Sequence, residues 1–350
     1  MNRKQLLDVL GVVRPALASS SLIQVLTHLC FSEREVTAYN DQIGISVPLR
    51  AGFAGAVPGD TLLSLLGASK AKEVELSASE GELLVKAGGA RLKLPLLPPD
   101  AFLFQMPEPA RGADVLPVKS EAFIAALGGC LRSVSPDTSV PDQLGVTLIP
   151  RKKSIDMYSI NGASMSRASV SLSGEQSLGR RVVLPAPFCE QLIRLAAGDK
   201  KPELVITDDC ALLRTAGGAR LFGKLVDVPK PLDFAAQFAE IVPEDLDKAS
   251  TEMPPTMKLA LDRALIIADP SGERVYSQLS IKDEVAALHT KSGRGEIIDR
   301  VKLPGHPDIS ASVDAQWLKV GASEFDRILV TDGAIIFGSG RALYLVATTA

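Results

Sequence analysis

An internal repeat constrains the fold of this chain more than any other feature of its sequence. The tetrapeptide Gly-Gly-Ala-Arg occupies 88–91 and recurs unchanged at 217–220, and Gly-Ser-Gly-Arg occupies 338–341. The third arginine lies 121 residues after the second, which lies 129 residues after the first. A helical apolar pattern and two alternating, strand-like segments precede each tetrapeptide, so we interpret the 350 residues as three diverged copies of one unit.

Each copy also begins with a helical apolar pattern that strand-like segments follow. In the first copy Leu6, Leu10 and Val13 share a helical face, and Pro15 is expected to kink or end that helix. Short strands joined by glycine turns favour antiparallel sheets, with glycines at positive φ. The sequence therefore predicts an α+β fold built from a helix–strands–helix–strands unit. The predicted helices are 3–17, 60–72, 119–133, 187–201, 257–268 and 313–327.

Proline-rich segments separate the three copies. One runs from Pro98 to Pro117, and the other runs from Val228 through Pro243 to Pro255. Both are predicted to be extended linkers between domains, each domain being long enough for its own core. The sequence thus predicts three domains, at 1–112, 113–240 and 241–350.

Composition and motifs exclude several classes of protein. Hydrophobic residues make up 46% of the chain and charged residues 23%, as in an ordinary globular protein. No apolar run reaches the roughly 18 residues of a membrane span, and the first residues lack the apolar stretch of a signal peptide, so we expect a cytoplasmic protein. Its scattered cysteines form no CxxC pair and are expected to be reduced and buried. No cofactor or metal is expected.

Enzymatic motifs are missing from the sequence. We find no HExxH, P-loop or GxSxG pattern, and the acidic pairs at 208–209 and 283–284 fit solvated turns. A hydrolytic site assembled from distant residues stays open as an alternative. Its candidate residues would be His28, His289 and His306.

The charge distribution separates the predicted helices from the rest of the chain. The formal net charge is −3, whereas the six predicted helices together carry +5 and the remaining residues −8. Helices gathered on one surface would hold a nucleic-acid backbone by charge alone, without reading its sequence. Aromatic residues are only 5% of the chain, so a duplex suits the pattern better than stacked single-stranded bases. The alternative is that the lysines and arginines are simply solvated.

Five blocks of sequence, at 36–45, 91–97, 160–162, 223–227 and 343–347, follow one another along the chain. Their order resembles that of the bacterial DNA polymerase III β subunit, the bacterial-type DNA sliding clamp. Residues 36–45 are similar to its block lT.TD.Ei.i, and residues 91–97 to its block sRFkLptLp. In the middle, 160–162 looks like the start of its TDGhRL turn and 223–227 like its sKLidG segment. The C-terminal residues 343–347 are similar to its closing yvvmPmrl. The likeness spans the whole chain and is weakest in the third copy.

That resemblance implies a head-to-tail homodimer that closes a ring, with helices lining the hole and antiparallel sheets outside. Such a ring encircles double-stranded DNA and tethers a polymerase, acting as a non-catalytic processivity factor. It also implies partners, namely the polymerase and clamp-loader subunits, that bind through short peptide motifs, and no membrane partner. The other interpretation left open is a clamp-fold scaffold or inhibitor that binds replication proteins without encircling DNA.

The resemblance also implies three sets of site residues. The residues expected to face DNA are Arg3, Lys4, Arg14, Lys70, Lys72, Arg132, Arg194, Lys200, Lys201, Arg263 and Lys319. Those expected to line a cleft for client peptides are Ile160, Met165, Pro231, Ile241, Leu345 and Ala347. Those expected at the dimer interface are Val74, Ile266 and Ile267.

Two short stretches in the expected cleft depart from the family pattern. The histidine and arginine of its middle turn are Ala163 and Ser164 here, and its terminal Met-Pro-Met is 347–349, Ala-Thr-Thr. Client peptides are therefore expected to differ from the usual ones or to bind weakly. Divergence of this size would suit a phage-encoded or accessory member of the family.

Overall fold

A computed structural model of the chain describes residues 1–109, 113–118, 121–135, 139–172, 178–267, 276–339 and 341–349. Gly340 of the third tetrapeptide, the predicted helix positions 119, 120 and 268, and 110–112 of the first linker lie outside these residues. The first copy contains α1 (Arg3–Val13), β1 (His28–Phe31), β2 (Glu35–Tyr39), β3 (Ile43–Pro48), β4 (Gly55–Pro58), α2 (Gly59–Ala68), β5 (Val74–Ser79), β6 (Glu82–Ala87) and β7 (Ala90–Pro95).

The second and third copies repeat this series. The second contains β8 (Asp114–Leu116), α3 (Glu121–Leu131), β9 (Gly145–Pro150), β10 (Ser154–Ile160), β11 (Ser164–Ser171), β12 (Val182–Pro185), α4 (Ala186–Ala196), β13 (Glu203–Ile206), β14 (Cys210–Arg214) and β15 (Arg220–Lys224). After α5 (Phe234–Ile241) and α6 (Leu246–Ala249), the third contains β16 (Thr251–Glu252), α7 (Pro255–Ile267), β17 (Tyr276–Lys282), β18 (Val285–Ser292), β19 (Gly295–Lys302), β20 (Ile309–Asp314), α8 (Ala315–Glu324), β21 (Arg327–Thr331), β22 (Ala334–Ser339) and β23 (Ala342–Ala347).

The predicted repeat is confirmed in the described residues. Every copy has one order: a helix, three successive strands, a further strand, a second helix and three more strands. The strands pair antiparallel, as the glycine turns predicted. Gly88 and Gly218 of the two identical tetrapeptides have φ of 64° and 83°, the left-handed region that favours glycine.

Sheets join the first half of one copy to the second half of the next. One eight-stranded sheet has the order β4-β1-β2-β3-β15-β14-β13-β8, and the other has the order β12-β9-β10-β11-β23-β22-β21-β16. The remaining half-copies form a four-stranded sheet, β19-β18-β17-β20, and a three-stranded sheet, β5-β6-β7. We call the two halves of each copy its leading half and its trailing half. In each eight-stranded sheet, the third strand of a leading half (β3 or β11) pairs with the last strand of the next copy's trailing half (β15 or β23).

This sheet sharing gives the chain two compact units. Unit 1 contains 1–124, 172–180 and 184–226, and unit 2 contains 125–171, 181–183 and 227–350. The second copy is divided between them because its first strands belong to one eight-stranded sheet and its last strands to the other. The division into domains at 1–112, 113–240 and 241–350 follows the repeat and stays a prediction.

The second linker departs from the expected extended structure. Asp233 accepts a hydrogen bond from the backbone of Ala236 and so caps α5. Phe234 and Phe238, one helical turn apart, are buried against the ring of Tyr158. Proline spacing indicated a linker but missed this apolar pair, whose burial stabilises a helix in the segment.

Several helices end earlier than the periodicity predicted. Helix α1 ends at Val13, and a 3₁₀ turn at Arg14–Ala16 follows it, because Pro15 interrupts the helical hydrogen bonds. Helices α2 and α4 end at Ala68 and Ala196. The lysines that follow these two helices therefore lie in loops, beyond the last helical residue.

Two helical glycines give a test of packing against the sheet. A Cβ at Gly321 in α8 would lie 2.3 Å from the Phe337 ring, whereas a Cβ at Gly67 in α2 would meet nothing within 4 Å. We expect Gly321→Ala to lower the free energy of unfolding by about 1–3 kcal/mol through overpacking. We expect Gly67→Ala to raise it by about 0.5–1 kcal/mol. Urea unfolding of the two variants measures the difference, and a stabilised Gly321→Ala would contradict this packing.

Candidate functional site

Helices α1, α2 and α4 cover one face of the eight-stranded sheet in unit 1. Helix α1 packs on β2 and β3, α2 on β1 and β4, and α4 on β15. The Arg194 guanidinium donates to the carbonyl of Val12 at 2.7 Å and so joins α4 to α1. Unit 1 contains eight of the cations that were expected to face DNA, on these helices or in the segments that follow them.

Two of those eight cations are engaged by backbone carbonyls. Arg3 donates from Nε to Ala71 and from a terminal nitrogen to Leu66, both at 2.8 Å, and so caps the end of α2. Burial lowers the pKa of Arg194. Both arginines therefore hold helices in place, and sequence reasoning did not separate them from the others.

The other six cations of unit 1 are exposed and carry no salt bridge to any residue that the structure describes. They are Lys4, Arg14, Lys70, Lys72, Lys200 and Lys201. The last four follow the C-terminal ends of α2 and α4, where a cation also interacts favourably with the helix dipole. A surface of unpaired cations is the arrangement that binds a phosphate backbone with release of counterions.

The expected cations of unit 2 have acidic partners. Arg132 pairs with Glu324, and Lys319 pairs with Asp262. Arg263 makes a two-pronged pair with Asp299, with nitrogen–oxygen distances of 2.6 and 3.0 Å. The positive charges of these three side chains are thus paired within the unit, which the sequence count of helical charges did not reveal.

A pocket of about 100 Å³ in unit 2 gathers most residues of the expected client cleft. Its lining includes Ile160, Met165, Ile241, Leu345 and Ala347. Pro231 is exposed and lies outside that lining. The pocket is therefore a small apolar depression beside β10, β11 and β23.

A turn and a buried polar cluster fix the shape of this pocket. Asn161 Oδ1 accepts from the backbone of Ala163 at 3.0 Å and of Ser164 at 2.8 Å, with Gly162 at φ 79°. Next to this turn, Ser133 Oγ lies 2.9 Å from Ser164 Oγ and 2.8 Å from Ser166 Oγ. Satisfied buried hydroxyls hold the strands in one register, so the pocket is preformed.

Arg167 lies beside the pocket, and the sequence analysis missed it. It follows Met165 by two residues on β11 and so points to the same side of the sheet, and its guanidinium carbon lies 6.0 Å from the centre of the Tyr158 ring. It makes no salt bridge with any described residue. The signal that would have found it is the repeat itself, because the offset between copies gives its register.

The expected dimer residues lie at different depths. Ile266, at the end of α7, is 67% exposed, and Ile267 is half-buried near Gly295, the first residue of β19. Val74 is only 2% exposed and belongs to β5, at the opposite edge of its sheet from β7. Its side chain is therefore packed inside unit 1, and its place at a dimer interface stays a prediction.

The three histidines have structural partners. His28 donates from Nδ1 to the Gln24 carbonyl at 2.8 Å. His306 accepts from the Val330 amide at 3.2 Å and contacts Thr251 Oγ1 at 2.9 Å, so it bridges β16 and β21. His289 lies 2.6 Å from Glu296. Within the described residues, no group of three His, Cys, Asp or Glu side chains is placed to hold a metal ion, and no helix there is long and apolar enough for a membrane span.

Burial lowers the pKa of His28 and of His306 below the ordinary value. The unfolded chain then binds protons more readily, so stability is lost as pH falls through about 6.5. We expect the melting temperature to fall between pH 7 and 5.5, and each histidine adds a slope of at most about 1.4 kcal/mol per pH unit. His306→Asn should reduce this dependence. A pH-independent melting temperature would contradict the burial of these imidazoles.

Comparison with solved structures assigns the fold. The DNA polymerase III β subunit of Thermotoga maritima superposes with a TM-score of 0.79 over 100% of this chain and 98% of that chain, at 16% identity. The β subunit of Caulobacter crescentus gives 0.80 over 100% and 99%, at 15% identity. The chain has the sliding-clamp fold. The Pseudomonas aeruginosa sliding clamp bound to griselimycin gives 0.79 over 100% and 98%, at 16% identity.

The same fold is reached here with little sequence in common. No protein-family model matches the chain, and no curated protein sequence matches it. The agreement over nearly the full length of each clamp means that every half-copy of the repeat has a counterpart in those structures. The sliding-clamp fold that the resemblance implied is thereby confirmed, with no sequence match to accompany it.

Proposed function

We propose that this chain is a DNA sliding clamp, a non-catalytic cytoplasmic processivity factor that encircles duplex DNA as a head-to-tail homodimer. The observation that carries the proposal is the sheet order of the repeat. Strand β3 pairs with β15, and β11 pairs with β23, so each leading half-copy finds a trailing half-copy. By the same rule β19, the third strand of the third copy, is expected to pair with β7, the last strand of a first copy.

The edges of the two smaller sheets support an assembly between chains. Strands β19 and β7 lie at sheet edges and have one neighbouring strand each among the described residues. Exposed strand edges are templates for pairing with another chain. Beside β19, Ile266 is 67% exposed, and Ile298 on the strand itself is 51% exposed. Pairing β19 of one chain with β7 of a second would join the two smaller sheets into one seven-stranded sheet and bury these side chains.

Such an interface is heterologous, since two different surfaces meet. A heterologous contact builds either an open filament or a closed ring. A ring forms only when the rotations at its junctions add up to a full circle, and we propose that two chains of three copies meet this condition. We call this proposed interface between β19 of one chain and β7 of the other the seam. Ile267 beside β19 belongs to the seam, whereas Val74 is buried inside unit 1.

The cations of unit 1 supply the proposed contact with DNA. Six exposed cations without acidic partners in the described residues face solvent beside α1, α2 and α4. Backbone contacts of this kind hold a duplex regardless of its sequence. The pocket of unit 2 supplies the proposed site for clients. Polymerase and clamp-loader subunits would insert short peptides there, in an extended form that fits a shallow apolar pocket.

Light scattering of the free protein tests the proposed assembly. We expect a mass of twice the 37.0 kDa chain at micromolar concentration. The mass should not rise with concentration, because a closed ring leaves no free edge. A monomer over the whole range, or a growing filament, would contradict the closed dimer.

One observation favours the second candidate, a scaffold or inhibitor that binds replication proteins without encircling DNA. The three cations of unit 2 that were expected to face DNA already have acidic partners, at Glu324, Asp299 and Asp262. For this candidate Ile160→Asp would abolish the binding of replication proteins, whereas Lys200→Glu with Lys201→Glu would leave that binding intact. For the clamp both changes should impair function, which separates the two candidates.

A further inference from the structure

Units 1 and 2 contain two versions of one cleft, related by the repeat. In unit 1 Asn40 Oδ1 accepts from the amides of residues 42 and 43, and Asp41 has φ 76°. In unit 2 Asn161 forms the same turn with residues 163 and 164, with Gly162 at φ 79°. Beyond these turns, Gly44 pairs with Phe222 and Met165 pairs with Leu345. The pocket of unit 2 therefore has a counterpart at Tyr39, Gly44 and Phe222.

The counterpart in unit 1 is filled by the chain's own linker. The Phe104 ring stacks on Tyr39 with centroids 4.1 Å apart and planes 8° apart, and it lies 5.4 Å from the Phe222 ring. A Cβ at Gly44 would lie 2.5 Å from this ring, so the glycine makes room for it. An extended segment thus inserts one bulky apolar side chain into the cleft of unit 1.

Four residues later the same segment places a carboxylate on arginine side chains. Glu108 pairs with Arg214, and it lies 3.5 Å from Arg220. Arg220 stands opposite Ser46 in the sheet, two residues from the pair formed by Gly44 and Phe222. The filled cleft therefore recognises two features: an apolar anchor and an acid that follows it.

Unit 2 offers the same two features without an occupant from the described residues. Its pocket is open, and the register pair two residues from Met165 and Leu345 is Arg167 opposite Leu343. The arginine is Arg220 on β15 in unit 1 and Arg167 on β11 in unit 2. In both units it belongs to the residue pair that lies two positions from the cleft. The neighbouring acid, Asp156, is paired with Arg151 at 2.9 Å. Arg167 is therefore available to a carboxylate from a partner.

We propose that the cleft of unit 2 recognises an extended peptide with a bulky apolar side chain and an acidic residue about four positions after it. The apolar side chain enters among Ile160, Met165 and Leu345, and the acid pairs with Arg167. The flexible Met165 replaces Gly44, so the pocket adapts to anchors of different size. This inference rests on the client cleft of the proposed function and specifies the partner's chemistry.

The linker segment itself is the probe for this proposal. A fluorescent peptide of residues 102–109, Phe-Leu-Phe-Gln-Met-Pro-Glu-Pro, is titrated into the full chain and followed by anisotropy. A second peptide carries Glu108→Lys. We expect the second to bind about two- to fivefold more weakly, the size of one partly exposed charge pair. The Arg167→Glu chain should reverse the preference between the peptides.

Two further variants show whether the peptides bind at the cleft of unit 2. Lys153→Glu changes an exposed cation just before β10 and should leave the preference as in the unaltered chain. Ile160→Asp should abolish the binding of both peptides, with circular dichroism showing that the fold is retained. Undetectable binding of the native peptide at millimolar concentration, equal affinity for both peptides, or binding that survives Ile160→Asp would each overturn the proposal. Retention on circular DNA does not involve Arg167, so failure here with retention intact rejects the inference alone.

Discussion

The Ile298→Asp variant is expected to be a 37.0 kDa monomer at concentrations where the unaltered protein is a dimer. Ile298 lies on the edge strand β19 and is 51% exposed in the single chain. In the proposed seam an aspartate there would be buried without a partner, at a cost of about 2–4 kcal/mol. A head-to-tail ring has two such seams, so the penalty is incurred twice. Sedimentation velocity measures the loss of the dimer.

A mixing experiment distinguishes a head-to-tail seam from a self-complementary one. Leu92→Asp changes the other proposed edge, β7, and should also give a monomer. Mixing the two variants restores one intact seam, formed by the unaltered β7 of one variant and the unaltered β19 of the other, and gives an open dimer. A self-complementary interface would not recover on mixing.

The control for both variants is Leu22→Asp, since Leu22 is fully exposed and belongs to neither edge strand. It should remain dimeric. Thermal melting of each variant shows whether the fold is retained. A dimeric Ile298→Asp protein, or two variants that stay monomeric when mixed, would contradict the proposed seam.

Neutralising four lysines of unit 1 is expected to have the largest effect on DNA affinity. The variant changes Lys70, Lys72, Lys200 and Lys201 to Gln. These side chains are exposed and free of acidic partners in the described residues, so each that binds a phosphate displaces counterions. The slope of log affinity against log salt should fall by about 0.9 for every phosphate that the variant no longer neutralises. Titration of a short duplex at several salt concentrations gives this slope.

The matched control deletes two ion pairs of unit 2 and keeps the net charge. It combines Arg263→Gln with Asp299→Asn, and Lys319→Gln with Asp262→Asn. Because these cations are already neutralised, the salt slope should stay within error of the unaltered protein. An equal decrease in both four-substitution variants would show that the paired cations also bind DNA.

The repeat made most of the fold predictable from the sequence. Glycine tetrapeptides and alternating apolar residues mark local structure, so the order of helices and strands in each copy followed directly. Where an element depends on residues distant in sequence, prediction was wrong. Helix α5 exists because Phe234 and Phe238 pack on Tyr158, and a proline count cannot register that packing. The joining of half-copies into shared sheets is also a long-range pairing.

The candidate site was predictable in part for the same reason. The resemblance supplied Ile160, Met165 and Leu345, and the structure gathers them around one pocket. Net charge over helices could not tell the exposed lysines from Arg263 and Lys319, because their partners are distant in sequence. Arg167 belongs to no local motif, and only its register position, compared with that of Arg220 in unit 1, indicates its role.

Retention on DNA of two topologies tests the central claim most directly. The protein is assembled on a nicked circular plasmid by a clamp loader, half of the sample is linearised with a restriction enzyme, and both halves are passed over a gel-filtration column. A closed ring is held by topology, so we expect the protein to elute with the circle and to be lost from the linear DNA. Equal retention on both DNAs, or equal loss from both, would contradict a ring that encircles the duplex.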